Sequence, residues 1–196
     1  IQRANTKHVV IDPVMVCKGD DEVLNPGNTK AMIEHLLPYA TVTTPNLFEA
    51  GQLAEMPTPK TVDDVKAVAK EIVARGAKAV VVKGGKKLQH DKAVDVFYNG
   101  QDFYLLETEK FDTVWNHGAG CTFAEAITAN LANGLSINDA VFAAKEFVAA
   151  AIQHGWALND FVGPVMQGAK NRFDAPALTI TKLDTVTAKK KKKGLC

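Results

Sequence analysis

No apolar run in this sequence reaches the ~20 residues that a membrane-spanning helix needs. The most alanine-rich helical stretch is interrupted by Lys145 and Glu146. Cysteine is scarce: Cys17, Cys121 and Cys196 are odd in number and far apart, which excludes a disulfide framework and a zinc spacing. No signal-peptide pattern precedes the first strand, so a reducing cytoplasm is the expected setting. Charge of one sign is lacking too. With 23 basic and 22 acidic residues the formal net charge is +1, which gives no reason to expect nucleic-acid or anionic-membrane binding across the surface. The one basic cluster, Lys189 to Lys193, reads as a solvated tail over 187–196. The histidines at 8, 35, 90, 117 and 154 form no HExxH or cysteine-paired spacing, which excludes a structural metal. Neither a GxxxxGK[ST] loop nor a GxGxxG fingerprint occurs.

What is present is 46% apolar residues over 196 positions, enough for one globular domain, here 1–186. Residues His8 to Val14 read as a strand ended by Asp12-Pro13, and Pro26 opens a helix to about Leu37. A second strand, Thr41 to Thr44, turns at Pro45-Asn46 into the helix LFEAGQLAEM. A helix capped by TVDD and closed at Gly76 leads to the strand KAVVVKGG. Alternating strands and helices, with strands apolar throughout, predict an α/β fold: a mostly parallel sheet flanked by helices. AVDVFY, Asn99-Gly100 and QDFYLL then predict a hairpin at the sheet's edge. Two long helices follow, from Gly120 to Asn133-Gly134 and from Ser136 onward, and Trp156 to Arg172 reads as loop.

In open α/β sheets, ligands lie beyond the carboxyl ends of the strands. Four loops leave those ends: Asp12 to Gly19, Pro45 to Glu49, Lys83 to Lys87, and NHGAGC, Asn116 to Cys121. Glycines feeding a helix start leave N–H groups free to converge on an anion, assisted by the helix dipole. They also serve simply as a tight packed turn. Lys83-Gly84-Gly85 offers a cation and flexible backbone toward the same edge, although a lone lysine is more often solvated surface charge. Asp12 and Glu49 could together hold a hydrated Mg²⁺, with Asn46 orienting a water, or each could be an ordinary turn or helix-start acid. Cys121, at a helix N-terminus, is placed to be a general base, and Cys17 to be a nucleophile toward an aldehyde. Either could equally be a small apolar filler.

Four motifs in order, DPVMVCKG (12–19), TPNLFEAGQL (44–53), VVVKGG (80–85) and WNHGAGCTFAEAI (115–127), resemble the ribokinase-like vitamin kinases. The resemblance runs from His8 to about Phe173 and points within that family to the dual-cysteine pyridoxal kinases, relatives of the hydroxymethylpyrimidine phosphate kinases. It implies ATP-dependent phosphorylation of a hydroxymethyl group on a pyridine or pyrimidine ring. By the same resemblance Gly118, Ala119 and Gly120 form the anion hole for the γ-phosphoryl group, and Cys121 is the base. Cys17 captures the pyridoxal aldehyde as a hemithioacetal; the pyrimidine kinases typically carry alanine there, which favours pyridoxal. Asp12 and Glu49 fall on Mg²⁺ positions, and Asn46, Lys83, Gly84, Asn116 and His117 on the nucleotide side. Two rival readings are a non-catalytic nucleotide-binding remnant and a thiol sensor joining Cys17 to Cys121. The family's first strands, which carry part of the ring pocket, are expected to be absent ahead of Ile1, and the longer family form to be a homodimer.

Overall fold

The computed structural model describes Ile1, residues 6–15 and residues 26–184. Cys17 and the lysine-rich tail lie outside the described residues. The elements are β1 (Val10–Ile11), α1 (Pro26–His35), β2 (Val42–Thr43), α2 (Leu47–Ala54), α3 (Val62–Ala74), β3 (Val80–Gly85), β4 (Ala93–Tyr98), β5 (Phe103–Thr108), α4 (Ala119–Ala132), α5 (Ile137–Gln153) and β6 (Thr179–Leu183). Among the described residues no helix is long and apolar enough to cross a membrane.

Local chemistry sets the boundaries. Thr61 caps α3 by accepting from the Asp64 N–H while the Asp64 carboxylate accepts from the Thr61 N–H, a reciprocal box that satisfies two orphan donors. Ser136 caps α5 by accepting from the Asp139 N–H at 3.2 Å, while its own hydroxyl donates to the Asp139 carboxylate at 2.6 Å. In the β4–β5 hairpin the Asn99 side chain accepts from the N–H groups of Gln101 and Asp102, and Gly100 takes the left-handed φ of 91° that the turn requires.

The six strands form one sheet in sequence order, β1-β2-β3-β4-β5-β6. The β1–β2 and β2–β3 pairings are parallel, and the β3–β4, β4–β5 and β5–β6 pairings antiparallel. The α/β architecture flanked by helices is the one expected, but the sheet is mixed, with more antiparallel than parallel pairings, where a mostly parallel one was expected, and its far end differs as well. The hairpin is internal because β6, from a segment without strong strand periodicity, pairs outside it from Phe103 to Glu107. Its residues are mostly exposed, which is why alternation did not reveal it.

Strand alternation sends side chains to two cores. Val80 and Val82 of β3 pack with Leu53, Val65, Val68 and Ile72 from α2 and α3. Ala79 and Val81 face the opposite way, onto Phe123, Ile127, Val141 and Ala144 from α4 and α5. Phe97 anchors the second core: it is fully buried, stacks on Tyr104 at 5.7 Å and meets Phe142 edge-on at 6.0 Å. Replacing it with alanine removes this payload and leaves a cavity beneath α5. Phe97→Ala is expected to cost about 3–5 kcal/mol of unfolding free energy in a urea titration; a loss below about 1 kcal/mol would show that α5 collapses to fill the space.

Candidate active site

The parallel half of the sheet brings the ends of β1, β2 and β3 to one edge, against the N-termini of α2 and α4. Asp12 follows β1, and its Oδ1 accepts from Lys83 Nζ at 2.8 Å and from Thr44 Oγ1, just beyond β2, at 3.1 Å. The Asn46–Lys83 bridge continues the parallel pairing, with the Lys83 N–H donating to the Pro45 carbonyl at 2.8 Å. A methyl group on Gly120 would sit 3.2 Å from Lys83 Nζ and 3.9 Å from Asp12 Oδ2. The first turn of α4 therefore abuts the Lys83–Asp12 pair.

That turn is built to leave donors unused. Gly118, the N-cap, has a φ of 80° and open space where a side chain would be. The Ala119 N–H is spent on the Asn116 carbonyl at 3.2 Å, and the Thr122 N–H closes onto Gly118 at 2.9 Å. The His117 carbonyl, four residues before Cys121, accepts instead from the Val165 N–H at 3.1 Å. Among the described residues the Gly120 and Cys121 N–H groups have no acceptor. With the helix dipole behind them and Lys83 beside them, they are free to receive an anion. Cys121 is a free, exposed thiol on this same turn.

Asn46 and Glu49 serve first as the capping box of α2: Asn46 Oδ1 accepts from the Glu49 N–H at 2.9 Å, and Glu49 Oε2 from the Asn46 N–H at 2.7 Å. Glu49 is buried, and burial raises its pKa above the ordinary 4.5 despite the Asn46 N–H and the Lys83 charge; Asp12 pushes it the same way as burial does. Among the described residues no cluster of three or more acidic, histidine or cysteine side chains could cage a metal. Asp12 Oδ2, which has no hydrogen-bond partner among the described residues, and the Glu49 carboxylate offer few oxygens. That donor set fits a divalent ion that keeps most of its water, as Mg²⁺ does.

A cavity of about 1320 Å³ opens from this edge, with Asn46, Lys83, Gly84, Asn116, Ala119 and Gly120 at its polar end and Phe123, Val148, Ala149 and Ile152 at its apolar one. Asp12, Glu49, Gly118 and Cys121 adjoin the polar end through the contacts above. His117 is exposed, and its backbone is engaged with residues 163 and 165. Cys17 lies outside the described residues.

The sequence reading missed a second ion pair in the same cavity. Lys145 Nζ of α5 donates to Asp95 Oδ2 of β4 at 2.7 Å, with both side chains only 8% exposed. Asp95 Oδ1 accepts from the Gly85 N–H at 3.1 Å, which holds the bulged end of β3 where Gly85 turns with a φ of 51°. The signal was available: an aspartate inside the apolar strand AVDVFY and a lysine inside an alanine-rich helix are each costly unless paired.

The site therefore joins an anion-binding helix start, a lysine, two carboxylates and a long cavity with an apolar end, the parts needed to hold a polyphosphate and its attached ring. A family model described as phosphomethylpyrimidine kinase matches residues 1–166. The chain belongs to that family. Among its relatives, a pyridoxine kinase of Bacillus subtilis is 54% identical over 86% of this chain and 62% of its own length. The structure of a pyridoxal kinase from Staphylococcus aureus in complex with AMP-PCP and pyridoxal superposes with a TM-score of 0.87, at 52% identity over 93% of this chain and 65% of that one. A hydroxymethylpyrimidine/phosphomethylpyrimidine kinase of Synechococcus elongatus is more distant, 40% identical over 80% of this chain and 59% of its own length. The chain thus spans less than two thirds of the length of these relatives, and the fold it shares with them is ribokinase-like.

Within this phosphomethylpyrimidine kinase fold Glu49 sits against its own electrostatic preference. A carboxyl with a raised folded pKa binds more protons folded than unfolded between 4.5 and its folded value, so stability falls as pH climbs through that window. Glu49→Gln keeps an acceptor for the Asn46 N–H without the buried charge. At about pH 7 the variant is expected to melt at or above the temperature of the unmodified chain, the gap closing as pH falls toward 4.5. A variant melting clearly lower at neutral pH would show that the carboxylate is a net stabiliser.

Proposed function

We propose that this chain carries the phosphoryl-transfer centre of an ATP-dependent pyridoxal kinase, which converts ATP and pyridoxal to ADP and pyridoxal 5′-phosphate. The observation that carries this reading is the first turn of α4: two N–H groups without acceptors, Lys83 against Gly120, and an exposed cysteine thiol on the same turn. Phosphoryl transfer asks the protein mainly for positioning and charge stabilisation. Here the Gly120 and Cys121 N–H groups and the Lys83 ammonium stabilise charge on the transferring group. Asp12 and Glu49 would hold Mg²⁺, which supplies charge neutralisation at the phosphates. Cys121 accepts the proton of the hydroxymethyl group as its oxygen bonds to the γ-phosphorus and the bond from phosphorus to the ADP oxygen breaks.

Identity favours pyridoxal over a pyrimidine alcohol: the relatives named for pyridoxine or pyridoxal are 54% and 52% identical, and the one named for hydroxymethylpyrimidine 40%. Cys17 supports the same choice, since a thiol can add to an aldehyde that pyridoxine and the pyrimidine lack. Work in a reducing cytoplasm, and as a homodimer at the relatives' length, belongs to the same reading.

The test is ADP release from Mg-ATP with pyridoxal, pyridoxine and hydroxymethylpyrimidine in turn, using this chain and a polypeptide extended to the relatives' length. Pyridoxal is expected to be preferred. Preference for hydroxymethylpyrimidine would move the chain to the pyrimidine branch, and ADP binding without turnover in either polypeptide would reduce it to a nucleotide-binding unit. Cys121→Ala is expected to lower turnover about 10²–10⁴-fold on every substrate with ADP affinity unchanged. Cys17→Ala should impair pyridoxal more than pyridoxine; equal losses would sink the aldehyde-capture role.

A further inference from the structure

The segment from Gly155 to Val165, which overlaps the Trp156 to Arg172 stretch read from the sequence as loop, is fitted against the residues that lead into α4. Its backbone donates from Trp156 to the Pro164 carbonyl at 3.2 Å, closing the segment on itself. It then pairs in parallel with His117: the His117 N–H donates to the Gly163 carbonyl at 3.0 Å, and the Val165 N–H to the His117 carbonyl at 3.1 Å. Gly163 is buried, and a methyl group on it would lie 2.6 Å from Cδ2 of Trp115, overlap the same ring at Cε3 and meet the Trp156 carbonyl. A methyl on Gly155 would run into the Trp115 carbonyl. The strap is thus in backbone contact with Trp115 at two glycines, and two residues later it grips His117. Directly after it the chain is fixed to α5, through the Met166 N–H to the Ala151 carbonyl at 2.9 Å.

This grip bears directly on the anion site. The Cys121 N–H, at the third position of α4, has no partner within the helix, and the strap fixes the backbone that leads into it by holding the His117 carbonyl four residues earlier. The amide remains without an acceptor and in place. We infer that the Gly155–Val165 strap positions the phosphate-binding turn, with Gly163 and Trp115 as positioning residues for phosphoryl transfer. The inference rests on the kinase reading above. Neither residue touches the reacting groups; each acts by fixing where the Gly120 and Cys121 N–H groups point, and misplacement of about 1 Å in such a constellation can cost about 10²-fold in rate.

The experiment uses whichever of the two polypeptides above turns over, and compares Gly163→Ala and Trp115→Phe with Gly168→Ala. Gly168 lies just past the strap with nothing within 4 Å of its missing side chain and an ordinary φ of −80°, so its variant reports any general effect of adding a methyl. Gly163→Ala is expected to lower kcat at least about tenfold, with KM for the alcohol and affinity for ADP within about twofold. AMP-PCP should lose affinity relative to ADP, because only its terminal phosphoryl group reaches the turn. A strap that merely stabilises the fold would lower the melting temperature while leaving kcat per folded molecule and the AMP-PCP to ADP ratio unchanged, and that result overturns the inference. If Gly163→Ala does not fold, Trp115→Phe decides by the same two readouts. Should neither unmodified polypeptide release ADP, the kinase reading fails on its own. The positional claim is then judged by amide exchange at His117 and Val165: protection retained in Gly163→Ala or, where that variant does not fold, in Trp115→Phe rejects it, and protection lost upholds it.

Discussion

Positive charge gathered at one place must be held there before any ligand arrives. At this sheet edge a lysine ammonium faces the electropositive end of a helix across the width of a missing methyl group, an arrangement that repels itself. Asp12 resolves it, taking Lys83 on the oxygen that Thr44 also fixes, at 2.8 and 3.1 Å. Much of the architecture can be read as a means of reaching that contact: three strands in parallel register, a glycine at the second position of α4, and a turn directly after β1 in which the Val14 N–H reaches back to the Asp12 carbonyl. Because Asp12 and Lys83 are separated by 71 positions, the contact exists only when the parallel half of the sheet is complete.

The Asp95–Lys145 pair has a different character. It lies in a largely dehydrated part of the cavity, where two opposite charges roughly offset the cost of their own desolvation, so its contribution is to geometry more than to stability. Asp95 spends its second oxygen on the Gly85 amide, tying a helix on one face of the sheet to the turn that follows Lys83. Glu49 is similar in kind, a buried carboxylate whose capping bonds only partly offset its burial. Groups that are electrostatically uncomfortable without ligand concentrate around the cavity, as expected where stability has been traded for binding.

Much of this was legible in the sequence because the elements that build it are locally consistent. The caps at Asn46, Thr61 and Ser136, the turn at Asn99-Gly100 and the left-handed Gly134 after α4 each declare a boundary, and the structure uses every one. The four loops at strand ends likewise contain the residues that converge. What escaped depends on distant partners. An aspartate in β4 and a lysine in α5 are 50 positions apart, and each alone looks like an interruption of an apolar pattern. Strand β6 carries little apolar alternation because its side chains are mostly exposed, and it is held by the edge that β5 offers. The strap before residue 165 has no regular periodicity, since its bonds join Trp156 to Pro164, Leu158 and Asn159 to Val162, and Gly163 and Val165 to His117.

The division of the sheet into a parallel and an antiparallel half also sets an order of assembly. Strands β3, β4 and β5 follow one another closely along the chain, so their ladders close short loops at little entropic cost, whereas each parallel pairing must first bring together segments separated by a helix or more. The meander is therefore expected to acquire protection early in refolding and the edge that carries Asp12 late, an order that pulse-labelled amide exchange would read directly. A chain arrested part-way would hold a formed hairpin without the Asp12–Lys83 contact, so closure of that contact marks a late step of folding and reports completion of the parallel half.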